Sequence, residues 1–119
     1  MDIGGGSLEF ALAAEGIVER YVSLPFGAVR LTEEFLRDRP AAKGVKKLRK
    51  LVREELRQTI PVRDWRGAEV IGSGGTFTNL AGMFLSRQGL QVAHSVHGTR
   101  MPWHEIEHIL EMLLELTPE

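Results

Sequence analysis

The sequence predicts an α/β fold in which a mixed sheet starts with a β-hairpin and is flanked by helices. Three observations lead there. Residues 8 to 24 alternate as two strands around a turn. Residues 43 to 60 carry apolar side chains at helical spacing. A short apolar run at 68 to 71 meets a glycine loop that opens onto a second helical pattern.

The chain begins Met1-Asp2-Ile3 and runs at once into Gly4-Gly5-Gly6-Ser7-Leu8-Glu9. Glycine lacks a Cβ, so the triplet can turn several N–H groups into one concavity, the arrangement that cradles phosphate. Asp2 and Glu9 flank it with carboxylate oxygens, which suit a hard cation such as Mg²⁺. A flexible connector with Asp2 a terminal charge and Glu9 on a wet strand face fits the same residues. A strand takes about five residues, so the three before the glycines give the expectation of a chain cut just upstream of a functional loop.

Leu8 to Ala13 alternates at period two, Glu15-Gly16 turns, and Ile17 to Leu24 returns as a second strand. Glu9 then shares a side with Ala11 and Ala13, opposite Leu8, Phe10 and Leu12. By pattern alone that side faces solvent.

Pro25 and Gly27 break the strand, and Val29 to Arg39 has helical character. After the loop Arg39-Pro40-Ala41-Ala42 comes a basic amphipathic helix, with Val45, Leu48, Leu51, Val52, Leu56 and Ile60 on one side. Between 43 and 57, seven Lys or Arg stand against Glu54 and Glu55, which leaves +5; the chain totals −1, so the remainder carries −6. A solvated face around a core stripe accounts for such a run, and guidance of a polyanion by a positive field is the sharper alternative.

Pro61 ends this helix. Ala68-Glu69-Val70-Ile71 is expected to be a buried strand, and Gly72-Ser73-Gly74-Gly75-Thr76 joins it to a helix with apolar residues at 77, 80, 81, 84 and 85. First-turn N–H groups and the positive end of the helix dipole make such a junction an anion site. Thr76 is placed to cap the helix or to turn its hydroxyl to a phosphate oxygen. Two anion loops on one chain suggest a polyphosphate or nucleotide ligand, although neither matches a P-loop or a dinucleotide fingerprint.

Near the end, His104-Glu105-Ile106-Glu107-His108 fits the helical His-Glu-x-x-His pattern of zinc peptidases. Only Glu111, Glu115 or Glu119 follows as a third ligand, on the same helix or its tail. Trp103, Ile106, Ile109, Leu110, Leu113 and Leu114 explain the helix as a core-facing stripe, with Pro102 suited to its first turn. His94 and His97 precede it in an expected strand or edge and are given structural or solvent-facing roles.

The first glycine motif resembles the second phosphate motif of the exopolyphosphatase/guanosine pentaphosphate phosphohydrolase (Ppx/GppA) family, within the actin and sugar-kinase superfamily. Leu24-Pro25-Phe26-Gly27-Ala28-Val29-Arg30-Leu31-Thr32-Glu33-Glu34-Phe35 resembles the segment after that motif's hairpin, and Gly72-Ser73-Gly74-Gly75-Thr76 the later glycine loop. The resemblance implies that residues 1–119 form a single domain. It would be the second, ribonuclease-H-like half of an actin-like two-domain enzyme that releases terminal phosphate from inorganic polyphosphate or guanosine pentaphosphate with Mg²⁺.

It further implies catalytic and metal-binding roles for Asp2 and Glu9, and phosphate contacts from Gly4, Gly5, Gly6, Ser7, Gly72, Gly74, Gly75 and Thr76. The first-half loop, Asp-x-Gly-Ser-Asn, and the first-half carboxylate that activates water are not in this sequence. The isolated chain is therefore expected to be inactive, with the missing first half as its partner. A non-hydrolytic phosphate-sensing or assembly module is the alternative, and the zinc site a remote one.

With 119 residues and 43% hydrophobic content the chain can bury a core, and an apolar face left uncovered gives the expectation of a homo-oligomer. It has no cysteine, which excludes disulfides and thiolate metal sites. No stretch has the length of a transmembrane helix or the form of a signal segment, so the sequence predicts no membrane association, a cytoplasmic location and no nucleic-acid partner.

Overall fold

Glu15 (φ 51°) and Gly16 (φ 79°) reverse the chain between two strands. Positive φ at both positions is the geometry of a two-residue hairpin turn whose twist matches the strands it joins. The strands are β2, Leu8–Ala14, and β3, Ile17–Leu24, and a short β1, Asp2–Ile3, pairs with the far side of β2. In this computed structural model residues 1–37, 42–90 and 96–116 are described. They fall into two compact units, Met1–Gly72 and Ser73–Glu119.

In the first unit both strand pairings are antiparallel, with Leu8 opposite Leu24 and Phe10 opposite Val22. The register slips between Leu12 and Ala13, because Leu12 faces Arg20 and Ala13 faces Val18, leaving Glu19 as the bulged residue. Leu8, Leu24 and Phe26 are buried, and Leu51, Val52 and Leu56 of the basic helix pack against them with Phe10 and Val22. One sheet face is thus covered by α2, Ala42–Thr59.

Helix α1, Ala28–Phe35, links the hairpin to that layer through Leu31. The expected loop at 39–42 and the last residues of the expected helix to Arg39 lie largely outside the described residues. Gly44 sits where α2 crosses the end of α1, and a Cβ there would overlap the Phe35 carbonyl. Pro61 does end α2, but a short helix follows that the sequence reading omits: α3, Val62–Trp65. Trp65 meets Phe10 edge to face at 6.0 Å, and Arg20 Nη2 lies 3.1 Å from Asp64 Oδ2.

The expected buried strand at 68–71 is corrected by the structure. These residues are in no strand, and Val70 and Ile71 are 73% and 74% exposed. An apolar run becomes a strand only when another supplies the ladder of hydrogen bonds, and the bond that Ile71 is seen to accept comes from the amino group of Met1, at 2.8 Å.

The second unit is a helix pair, α4 (Gly75–Arg87) and α5 (Trp103–Glu115). Ala81 and Ile109 are its buried residues. The expected core stripe of α5 is narrower than its periodicity: Ile106 and Leu113 are half-buried, whereas Trp103 is 70% exposed and Leu110 and Leu114 are also exposed. Pro102 stands at the N-cap of α5, one position before the first helical residue. Among the described residues no helix is long and apolar enough to cross a membrane.

Candidate active site

The β1–β2 register pairs Asp2 with Glu9 and Ile3 with Leu8. Residues directly opposite in an antiparallel pair project from the same face with Cβ atoms about 5 Å apart. Leu8 and Ile3 point into the core, so Asp2 and Glu9 share the other face. Two like charges set opposite each other are unfavourable by themselves. A divalent cation held by both would remove that cost.

Gly4, Gly5 and Gly6 connect these two strands and are exposed. The Gly4 N–H donates to the Ser7 carbonyl at 3.0 Å and closes the turn. The Ser7 hydroxyl donates to Glu9 Oε1 at 2.5 Å, and Ser23 Oγ lies 3.4 Å from the same oxygen. Charge-assisted bonds of this kind fix a carboxylate's direction, so Glu9 is held by two hydroxyls from the loop and from β3.

The loop's carbonyls are used as well. Ala28 N–H donates to the Gly4 carbonyl at 2.8 Å, and Val29 and Arg30 N–H donate to the Gly5 carbonyl at 3.0 and 3.2 Å. Three first-turn donors of α1, which its own helix cannot satisfy, are therefore capped by the glycine turn, without a side-chain cap at Gly27. Carbonyl and N–H point oppositely across a trans peptide, and among the described residues no peptide is cis. The N–H groups of Gly5 and Gly6 accordingly point away from α1, with the positive end of its dipole behind them.

Gly27 is the residue that sequence reasoning missed. A Cβ on it would overlap the Gly5 carbonyl and the Gly6 nitrogen, so two backbone segments touch there directly. The available signal was the Pro25-Phe26-Gly27 break itself, which marks a strand end and says nothing about a partner 22 positions earlier.

In the second glycine loop Gly72 closes the first unit, and Ser73, Gly74, Gly75 and Thr76 open the second. Gly74 has φ 86°, which a side chain would strain, and it is the N-cap of α4. Its carbonyl accepts from Thr78 N–H at 3.1 Å, and Thr78 Oγ1 donates to the Gly75 carbonyl at 3.0 Å. Thr76, expected as a possible cap, lies inside the first helical turn instead.

The His-Glu-x-x-His segment is used differently. Arg87 of α4 approaches Glu105 Oε2 at 3.4 Å and His108 Nε2 at 3.3 Å, while His104 Nε2 lies 3.6 Å from Glu105 Oε1. A guanidinium against the second histidine repels a cation. Among the described residues no group of three or more His, Asp or Glu gathers to hold a metal. Mg²⁺ asks less of the protein, since one or two carboxylates suffice when water and substrate phosphate complete its octahedron, and Asp2 with Glu9 fit that demand.

Residues 1–119 match the model of the Ppx/GppA phosphatase family from end to end. The chain belongs to the Ppx/GppA family. It is 34% identical to exopolyphosphatase 2 of Mycobacterium tuberculosis over 98% of its own length and 37% of the relative's. It is 39% identical to exopolyphosphatase 1 of Mycobacterium bovis over 59% of this chain and 17% of that protein. Among solved structures, the PPX-GPPA enzyme of Aquifex aeolicus superposes with a TM-score of 0.78 at 28% identity, over 97% of this chain and 37% of that one. The chain thus spans a little over a third of the length of the Ppx/GppA proteins it matches over nearly all its own length.

Proposed function

We propose that this chain supplies the second-half phosphate and metal site of a Mg²⁺-dependent phosphohydrolase that removes terminal phosphate from inorganic polyphosphate or guanosine pentaphosphate. The observation that carries the reading is the register of Asp2 opposite Glu9 on either side of a glycine turn whose Gly5 and Gly6 N–H groups point outward. Membership of a family that contains exopolyphosphatases supports the reaction class.

Asp2 and Glu9 would hold Mg²⁺, which when bound would neutralise phosphate charge. The Gly5 and Gly6 amides donate to phosphate oxygens, backed by the α1 dipole. Gly4 and Ser7 shape the turn, and Ser7 fixes the direction of the Glu9 carboxylate that would meet the metal. The second glycine loop, Gly72, Gly74, Gly75 and Thr76, is assigned a phosphate or nucleotide contact of its own at the N-terminus of α4. Work of this kind is positioning and charge neutralisation rather than covalent chemistry.

The complementary half brings the other phosphate loop and the carboxylate that activates water, so hydrolysis belongs to the assembled protein and not to this chain alone. Glu9→Gln in the protein that joins this chain to a first half tests the assignment. Phosphate release should fall by about 10²-fold or more while phosphate binding persists. Unchanged turnover would remove Glu9 from the site.

A further inference from the structure

Glu9 lies on the middle strand of the sheet, directly opposite Asp2 on β1 and directly opposite Ser23 on β3. The neighbouring pair, Leu8 with Leu24, is buried, so Ser23 projects with Glu9 from the other face. Ser7 Oγ at 2.5 Å and Ser23 Oγ at 3.4 Å both donate to the same oxygen of Glu9, Oε1. A carboxylate has about four lone-pair sites shared between its two oxygens, so the two hydroxyls fill Oε1. Among the described residues Oε2 makes no hydrogen bond or ion pair.

We propose that Ser23, acting with Ser7, restricts Glu9 to metal ligation through Oε2 alone and thereby makes the Asp2–Glu9 pair select Mg²⁺ over Ca²⁺. The inference rests on the reading of Asp2 and Glu9 as metal ligands given above. Ser23 is a positioning residue in this account, since it meets Glu9 and not the metal.

The two cations ask different things of a carboxylate. Mg²⁺ demands a near-ideal octahedron, keeps several waters and is served by single oxygens from one or two carboxylates, whereas Ca²⁺ takes about 6 to 8 oxygens and often holds a carboxylate by both. To chelate through both oxygens, Glu9 would have to give up the bonds from Ser7 and Ser23 at Oε1. A Glu9 held in this way meets the first demand and resists the second. The competing explanation is a purely structural cross-strand pair between Glu9 and Ser23, which would stabilise the hairpin without regard to the metal.

The test is competition of Mg²⁺ and of Ca²⁺ against Mn²⁺ bound to the 119-residue chain, read by electron paramagnetic resonance of free Mn²⁺. The native chain is compared with Ser23→Ala, Ser23→Thr and Ser23→Val. Removing a hydrogen-bond partner of a ligating carboxylate costs about 10- to 100-fold in metal affinity. Ser23→Ala should therefore weaken Mg²⁺ by about tenfold and leave Ca²⁺ bound as tightly or more so, and adding Ser7→Ala should enlarge that shift in preference. Ser23→Thr keeps the hydroxyl and should keep the native preference. Ser23→Val has the shape of Thr without its hydroxyl and should behave as Ser23→Ala. Thr and Val are both favoured in strands, so this pair decides the matter if Ser23→Ala does not fold.

An unchanged preference between the two cations, equal weakening of both, or Ser23→Val matching Ser23→Thr would each overturn the proposal. Equal weakening is the result that a purely structural pair predicts. Glu9→Gln separates this from the site itself. If it abolishes Mn²⁺ binding while the Ser23 variants keep the native preference, only the selectivity inference fails. If the native chain binds no Mn²⁺, or Glu9→Gln binds it as tightly as the native chain, the site assignment fails and this inference with it.

Discussion

Asp2 and Glu9 stand directly opposite each other in the β1–β2 register, with Ser7 donating to Glu9 Oε1 from the turn between them. Opposed carboxylates cost stability, by up to about 1 kcal/mol relative to a neutral pair. The loop adds a hydroxyl to hold one of them in place. Such an arrangement makes sense where the charge pair is completed from outside.

Mg²⁺ should therefore stabilise the chain, and only through this pair. At ten times its dissociation constant a ligand that binds only the folded state adds about 1.4 kcal/mol. Thermal unfolding with and without Mg²⁺ should show a rise in Tm for the native chain. Glu9→Gln should lose that rise and be slightly more stable than the native chain when metal is chelated.

Gly6→Ala separates folding from phosphate binding. A Cβ on Gly6 meets nothing within 4 Å, and its φ is not in the left-handed range. The fold should accept it, with stability unchanged or raised by up to about 1 kcal/mol. Phosphate affinity should nonetheless drop, because the methyl stands where an anion must reach the amide. Equal loss of stability and binding would mean the glycine is there for the fold.

Gly27→Ala should lower stability and binding together. The added methyl collides with the Gly5–Gly6 peptide, and overpacking of this sort costs about 1 to 3 kcal/mol. Denaturant titration should register that loss, and phosphate binding should fall with it because α1 and the turn are displaced together.

How far the sequence carries depends on whether a feature is local. The hairpin was legible because period-two alternation and the Glu15-Gly16 turn lie next to each other, and α2 because its apolar stripe repeats over 18 residues. The carboxylates flanking the glycine turn were legible as residue types, but their facing register was not, since it depends on how a two-residue strand pairs. Gly27 against Gly5 is a contact between backbones with no side chain to announce it. The run at 68–71 has the apolarity of a strand, yet pairing is a property of a neighbour, and Val70 and Ile71 are exposed. In α5 the periodicity marked a stripe correctly and could not tell how wide a surface covers it, so Ile109 is buried and Trp103 is not.

Arg87 gives a prediction for the histidine segment. Purified chain should carry no stoichiometric zinc by elemental analysis, since a guanidinium occupies the side of His108 that a metal would need. Arg87→Ala removes an ion pair with Glu105 that is only partly exposed and should cost about 1 kcal/mol at most. Zinc uptake by that variant alone would show that Arg87 is what keeps the metal out.

The most direct measurement is paramagnetic broadening of the chain's amide signals by Mn²⁺, which takes the same oxygen ligands as Mg²⁺. The signals of Asp2 and of Gly5 to Glu9 should broaden first, and Glu9→Gln should abolish the effect. Broadening centred on His104 and His108, or none near the glycine turn, would contradict the account.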